Sequence, residues 1–220
     1  MINKVFVITF LLLSAALLTY DVSILATPNK VAAQAPAVKK PVGLLPIIRL
    51  VKDGRTYCSG VVIDKTTIVT ASHCVSVASM FGTTVNKDPI DIRAYDNLNR
   101  GTTARVMGVL VQLDRAVLKG DFRLFAPANY VSDVEKNVSY RSKGQQYISC
   151  GYPLGGKLYC TPLTFIQNAG FMMGVKGILI PGMSGGPTML QDGTVIAINI
   201  AVDQDMSYVS PIYNIDDEKE

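Results

Sequence analysis

The stretch Val195-Ile196-Ala197-Ile198-Asn199-Ile200-Ala201 alternates isoleucine with smaller residues. Successive side chains of a strand point to opposite faces, so Ile196, Ile198 and Ile200 share one face and Ala197, Asn199 and Ala201 the other. The bulky face is expected in a core, and the small face is expected to leave open space. Upstream lie a short apolar pair, Met189-Leu190, and an Asp192-Gly193 turn; another β-rich run follows at 207–212. The same signature recurs along the chain, at 44–51, 57–63, 68–71, 90–95, 102–112, 116–118, 146–152, 163–173 and 175–180. Residues 119–141 are more weakly patterned, hold Pro127 and read as a crossover between two halves. Many short strands with turns between them, and almost no helical period, predict an all-β barrel or sandwich.

At 220 residues the chain accommodates one substantial domain or two small ones sharing a core. Hydrophobic residues at 49% and charged residues at 17% exclude a disordered chain. A net charge of +4 without a dense Lys/Arg run gives no footprint for nucleic acid. Lys4 precedes an apolar run over residues 5–18, and a weaker stretch reaches Ala26 past Asp21. Residues 1–26 therefore read as a secretory signal or, since 5–26 is long enough to span a bilayer, as a retained membrane anchor. Residues 27–41, rich in Ala, Pro and Lys, read as a flexible linker, and 214–220 as an acidic tail. Export to an oxidising compartment gives meaning to Cys58, Cys74, Cys150 and Cys160. Four cysteines allow three pairings, and nearness in sequence favours Cys58–Cys74 with Cys150–Cys160. Asn137-Val138-Ser139 is a glycosylation sequon.

The chemistry concentrates in Pro181-Gly182-Met183-Ser184-Gly185-Gly186-Pro187, a serine set among glycines. Such a turn exposes a hydroxyl and places backbone N–H groups where negative charge can develop. The single histidine, His73, ends the apolar run Thr70-Ala71-Ser72-His73-Cys74, and Asp114 interrupts Leu113-Asp114-Arg115-Ala116-Val117-Leu118. Acyl transfer by serine needs a base, a carboxylate that holds the imidazole in one tautomer, and donors for a tetrahedral oxyanion. One serine, one histidine and one carboxylate in apolar sequence meet that need, in the chain order His, Asp, Ser.

The segments T-A-S-H-C, L-D-R-A-V-L and G-M-S-G-G-P resemble the three signature segments of the chymotrypsin-like (trypsin-like) serine proteases. The resemblance covers roughly residues 42–213. It implies two perpendicular antiparallel β-barrels, about 42–122 and 140–213, with the active site in the cleft between them. It implies a serine endopeptidase acting on polypeptides through an acyl-enzyme, with no metal or cofactor. By position, His73 would be general base and acid, Asp114 its orienting carboxylate and Ser184 the nucleophile. The N–H groups of Gly182 and Ser184 would form the oxyanion hole. Cys58 and Cys74 match the disulfide that braces the histidine loop, and Cys150 and Cys160 read as a local staple. Asn199 falls where the family has a residue contacting the catalytic aspartate.

The departures are informative. Met183 stands where members activated by cleavage carry an aspartate, so that switch is expected to be absent. Ile178, six residues before the serine, is not acidic, which disfavours cleavage after Arg or Lys. Ile178, Asn199, Ile200 and Ala201 together suggest a pocket for a small or medium apolar residue, with Asp203 and Asp205 as carboxylates within a loop's reach of it. Two other classes fit less well: a protease fold without turnover, disfavoured by the intact triad identities, and a metal or redox site on Cys58, His73 and Cys74. The latter is disfavoured because adjacent His and Cys do not easily face one tetrahedral centre.

Overall fold

The computed structural model describes residues 46–79, 82–86, 88–93, 101–203, 206–213 and 215. The expected targeting segment and linker lie outside these residues, as does the tail apart from Ile215, which is buried. No described helix is long and apolar enough to cross a membrane.

In chain order the first strands are β1 (Ile47–Lys52), β2 (Arg55–Val62), β3 (Thr67–Ala71), β4 (Ser76–Ser79), β5 (Gly82–Val85), β6 (Ile90–Arg93), β7 (Gly101–Leu110) and β8 (Arg115–Gly120). Six of them close a barrel in the order β1-β2-β3-β8-β7-β6, while β4 and β5 pair separately. The β1–β2 hairpin turns at Asp53 and Gly54, both with positive φ, as a tight antiparallel turn demands. All five residues of β3 are buried, which is why this strand reads as a continuous apolar run rather than an alternation.

The second group is β9 (Gln146–Gly151), β10 (Tyr159–Ala169), β11 (Met172–Lys176), β12 (Pro187–Met189), β13 (Val195–Asp203) and β14 (Met206–Pro211). These close a second antiparallel barrel in the order β10-β11-β14-β13-β12-β9. The expected all-β architecture is thus two closed six-stranded barrels, and barrel is chosen over sandwich because each sheet leaves no free edge.

Strand β13 departs from strict alternation. Ile196 and Ala197 pack in the core of the second barrel, whereas Val195, Ile198 and Ile200 join a cluster containing Ile48, Val61, Ile68 and Leu118 of the first. The pairing with β12 shifts register between Val195 and Ala197, and that with β14 between Asn199 and Ala201, so the period of two does not carry through. Asn199 is 1% exposed, and the open small face expected there is replaced by a strand buried on both sides.

The run 163–173 is a hairpin rather than one strand, turning at Gly170 (φ +60) with Phe171 67% exposed at its tip. Strand β11 ends at Lys176, so the apolar residues 177–180 form the approach to the serine turn instead.

The crossover contributes to both cores, with Phe122 and Phe125 in the first cluster and Val131 in the second. It also forms the short helix α1 (Val134–Ser139), begun by the Asp133 carboxylate accepting from Lys136 N at 2.6 Å. Asn137 docks this helix: its Nδ2 donates to the Ile196 carbonyl at 2.8 Å, and its Oδ1 accepts from Arg141. The side chain is fully buried.

Candidate active site

The turn carrying His73 is a single 3₁₀ turn, Ser72–Cys74, at the end of β3. Its partner approaches from the start of β8. Asp114 adopts a left-handed conformation (φ 45, ψ 46), which an aspartate tolerates better than most residues. In that conformation its carbonyl accepts from Ser72 N at 2.9 Å. Its carboxylate is then spent entirely on the same dipeptide. Oδ2 lies 2.7 Å from His73 Nδ1, while Oδ1 accepts from His73 N at 2.9 Å and Ser72 Oγ at 2.7 Å. Burial pushes the Asp114 carboxyl up, but the hydrogen bonds from His73 and Ser72 outweigh it and hold the carboxyl below its ordinary range. The imidazole is held through Nδ1, and its side chain is 45% exposed.

Cys58 of β2 and Cys74 of the histidine turn form a disulfide. By loop-closure arguments a bridge over this separation stabilises by about 3 kcal/mol. Potential ligand atoms of Cys58, His73 and Cys74 lie within 4.8 Å of one another, but both sulfurs are committed to the bridge and offer no thiolate. The second disulfide joins Cys150 and Cys160, directly opposite each other on β9 and β10.

Ser184 sits on the turn before β12. Met183, next to it, is fully buried in the core of the second barrel and anchors the turn from within. Gly182 (φ +97) must be glycine, since a Cβ there would meet Tyr152 O at 2.5 Å and Leu154 N at 2.9 Å. Gly185 (φ +80) lies against Thr70 and the Ser59 carbonyl of the first barrel, again with no room for a side chain.

The hydrogen bonds of this turn are unevenly distributed. Met183 N donates to Ile180 O, Gly185 N to Asn199 O and Gly186 N to Met183 O, at 2.8–2.9 Å. Among the described residues, the N–H groups of Gly182 and Ser184 have no acceptor. Their directions follow from the peptide planes, because C=O and N–H of a trans peptide point oppositely. The Pro181 carbonyl accepts from Leu154 N at 2.8 Å, and the Met183 carbonyl accepts from Gly186 N at 2.9 Å and Asn199 Nδ2 at 3.0 Å. The two free N–H groups therefore point away from those clamped carbonyls.

The hydroxyl of Ser184 donates to the Ile200 carbonyl at 3.3 Å, and no hydrogen bond joins it to His73. Ile200, one residue beyond Asn199, is thus the β13 residue whose main chain meets the serine. Asn199 itself is bonded within its own barrel: Ser149 and Thr188 donate to its Oδ1, and its Nδ2 donates to the carbonyls of Cys150 and Met183. Asp114 is not among its partners. Ile178 is 68% exposed, the Ile200 side chain packs in the first core cluster, and the side chain of Ala201 lies outside the described residues, as do those of Asp203 and Asp205. A groove of about 400 Å³ on the first barrel is lined by Val85, Asn86 and Arg105–Val109, none of them expected site residues.

Ser59 and Leu154 were not singled out by sequence reasoning. Both act on main-chain atoms of the serine turn, and main-chain contacts leave little trace in residue identity.

A family profile described as trypsin-like peptidase domain matches residues 58–198, well over half of the chain. The chain belongs to that family. It is a serine endopeptidase, a hydrolase that works through an acyl-enzyme. No curated protein sequence matches it. Among solved structures, the inactive form of Rv3671c protease aligns with a TM-score of 0.60 at 19% identity, over 83% of this chain and 93% of that one. The active form of the same M. tuberculosis protein aligns with 0.56 at 18%, over 76% and 74%. The serine endoprotease from Yersinia pestis aligns with 0.60 at 18%, over 77% of this peptidase but only 59% of its own chain. The HtrA-type protease AlgW with decapeptide aligns with 0.57 at 21%, over 71% and 48%. At these identities the likeness is one of fold.

Proposed function

We propose that this peptidase cuts polypeptides with His73, Asp114 and Ser184 as its catalytic triad and the N–H groups of Gly182 and Ser184 as its oxyanion hole. One observation carries the reading: the only unspent N–H groups among Gly182–Gly186 are those of Gly182 and Ser184, on the turn of the candidate nucleophile. For the reaction the serine hydroxyl leaves the Ile200 carbonyl and donates instead to His73 Nε2, the nitrogen not engaged by Asp114. His73 takes the hydroxyl proton as Oγ attacks the scissile carbonyl, and the two N–H groups receive the oxyanion. His73 then returns the proton to the leaving amine, and water repeats the sequence to release the acid and free serine. Asp114 stays ionised throughout and stabilises the imidazolium.

We place the site in a cleft between two barrels set perpendicular to each other, a reading supported by the histidine and aspartate arising from the first and the serine from the second. Residues 177–181, Gly-Ile-Leu-Ile-Pro, bring no carboxylate to the approach of Ser184, which supports cleavage after small or medium apolar residues. The apolar N-terminal segment and two disulfides support an extracytoplasmic location, secreted or membrane-anchored.

The test is reaction of the purified protein with a fluorophosphonate probe beside Ser184→Ala and His73→Ala, followed by sequencing of products from a mixed peptide library. The wild type should label and cut, and each variant should lose on the order of a millionfold in turnover. A wild type that neither labels nor cuts removes the triad assignment, and cleavage after Lys or Arg removes the apolar pocket.

A further inference from the structure

Ser59, midway along β2, is fully buried, and every polar atom it has is engaged. Its N–H donates to the Ser184 carbonyl at 2.8 Å, and its hydroxyl donates to the Gly182 carbonyl at 2.7 Å. The same hydroxyl accepts from Tyr152 N at 2.9 Å, and its own carbonyl accepts from Thr70 Oγ1 at 2.7 Å. One residue of the first barrel thus grips the carbonyls of the two residues whose N–H groups are free. The grip matters most at Gly182. Glycine has the softest backbone of any residue, and nothing in its own structure keeps its N–H aimed in one direction. Gly182 is held at its amide side by Leu154 N on the Pro181 carbonyl and at its carbonyl side by the Ser59 hydroxyl. Removing the hydroxyl frees the second hold and takes one hydrogen-bond partner from Gly182 O and one from Tyr152 N.

We infer that the Ser59 hydroxyl is a positioning group that keeps the Gly182 N–H aimed at the oxyanion site, acting across the two barrels without touching substrate. The inference rests on the oxyanion hole proposed above. Its weight falls on the transition state, because a hole matters little to ground-state binding and much to the tetrahedral intermediate. Losing a donor outright costs about 10²- to 10³-fold in kcat. Loosening one through its neighbour should cost less, roughly tenfold to a hundredfold on the same scale.

The experiment compares wild type, Ser59→Ala and Ser59→Thr in the full chain, with a cleavable peptide, a fluorophosphonate probe and thermal melting. Ser59→Ala should lower kcat and the fluorophosphonate labelling rate together, leave KM unchanged and leave the pH midpoint of labelling where it was. An unmoved midpoint separates the hole from the His73–Asp114 unit. Ser59→Thr, which keeps the hydroxyl, should recover most of the loss. The inference is overturned if Ser59→Ala folds and turns over like wild type, or if KM rises while kcat holds. It is overturned equally if Ser59→Thr is as impaired as Ser59→Ala, or if Ser59→Ala does not fold, since each makes the side chain a packing element. A wild type that does not label overturns the triad reading, and this inference with it. An active wild type with an indifferent Ser59→Ala overturns this inference alone.

Discussion

Asp114 spends both carboxylate oxygens on a single neighbouring dipeptide, Ser72-His73, and its own carbonyl on the same segment. Such a carboxylate orients an imidazole more firmly than one contact would, because rotation of either residue breaks several bonds at once. Asp114→Asn should keep the fold and reduce kcat by on the order of 10⁴-fold, as the amide supports the wrong tautomer; steady-state kinetics on a cleavable peptide checks it. The carboxylate also has a stability signature. Its value in the folded protein lies below the ordinary 3.8 of the unfolded chain. Its contribution is therefore fully present above that ordinary value and is lost as the pH falls through the lower folded value. Urea midpoints measured from neutral pH into acid should fall less steeply for Asp114→Asn than for wild type.

At the scale of elements, strands with strong β propensity between clear turns were legible in the sequence, and β2, β3, β9 and β13 fall close to where their residues place them. The misreadings have common physical roots. Phe171 is apolar yet exposed at a hairpin tip, so the run 163–173 concealed a turn that Gly170 alone marks. Strands β4 and β5 are built from small and polar residues and carry no apolar period. Helix α1 is too short to show a helical period, and only Asp133 announces it. The residues of the proposed triad stand out in the sequence because each of its roles calls for one residue type. Leu154 and Ser59 were not, because they act through N–H and hydroxyl groups that many residues could supply. Helix α1 itself is joined to β13 by one buried side chain. Asn137→Ala should cost about 1–3 kcal/mol, because it removes one of the two donors to the Ile196 carbonyl, the other being Ile212 N, and takes from Arg141 its acceptor. Chemical denaturation of the variant measures it, and a loss within about 0.5 kcal/mol would show that the helix is docked by other contacts.

For the whole molecule, the two barrels set a limit at alkaline pH. Tyr147 lies fully buried in the second core with its hydroxyl donating to the Tyr140 carbonyl, and burial pushes its phenol up to about 12. The folded value stands above the ordinary 10, so the stability linked to it is intact below pH 10 and is lost as the pH rises towards 12. Tyr147→Phe should be less stable at neutral pH, having lost a hydrogen bond, yet decline less between those limits; paired melts at neutral and alkaline pH test both halves. Asn137 raises a different matter, since it is both the acceptor of a glycosylation sequon and a fully buried residue. An oligosaccharide cannot be attached to a side chain enclosed between α1 and β13. In a host that glycosylates exported chains, only a molecule that has not yet closed its second barrel can be modified there, and the sugar then bars closure. Sugar occupancy at this asparagine would serve as a clock, scoring how many chains are overtaken by the transferase before they fold.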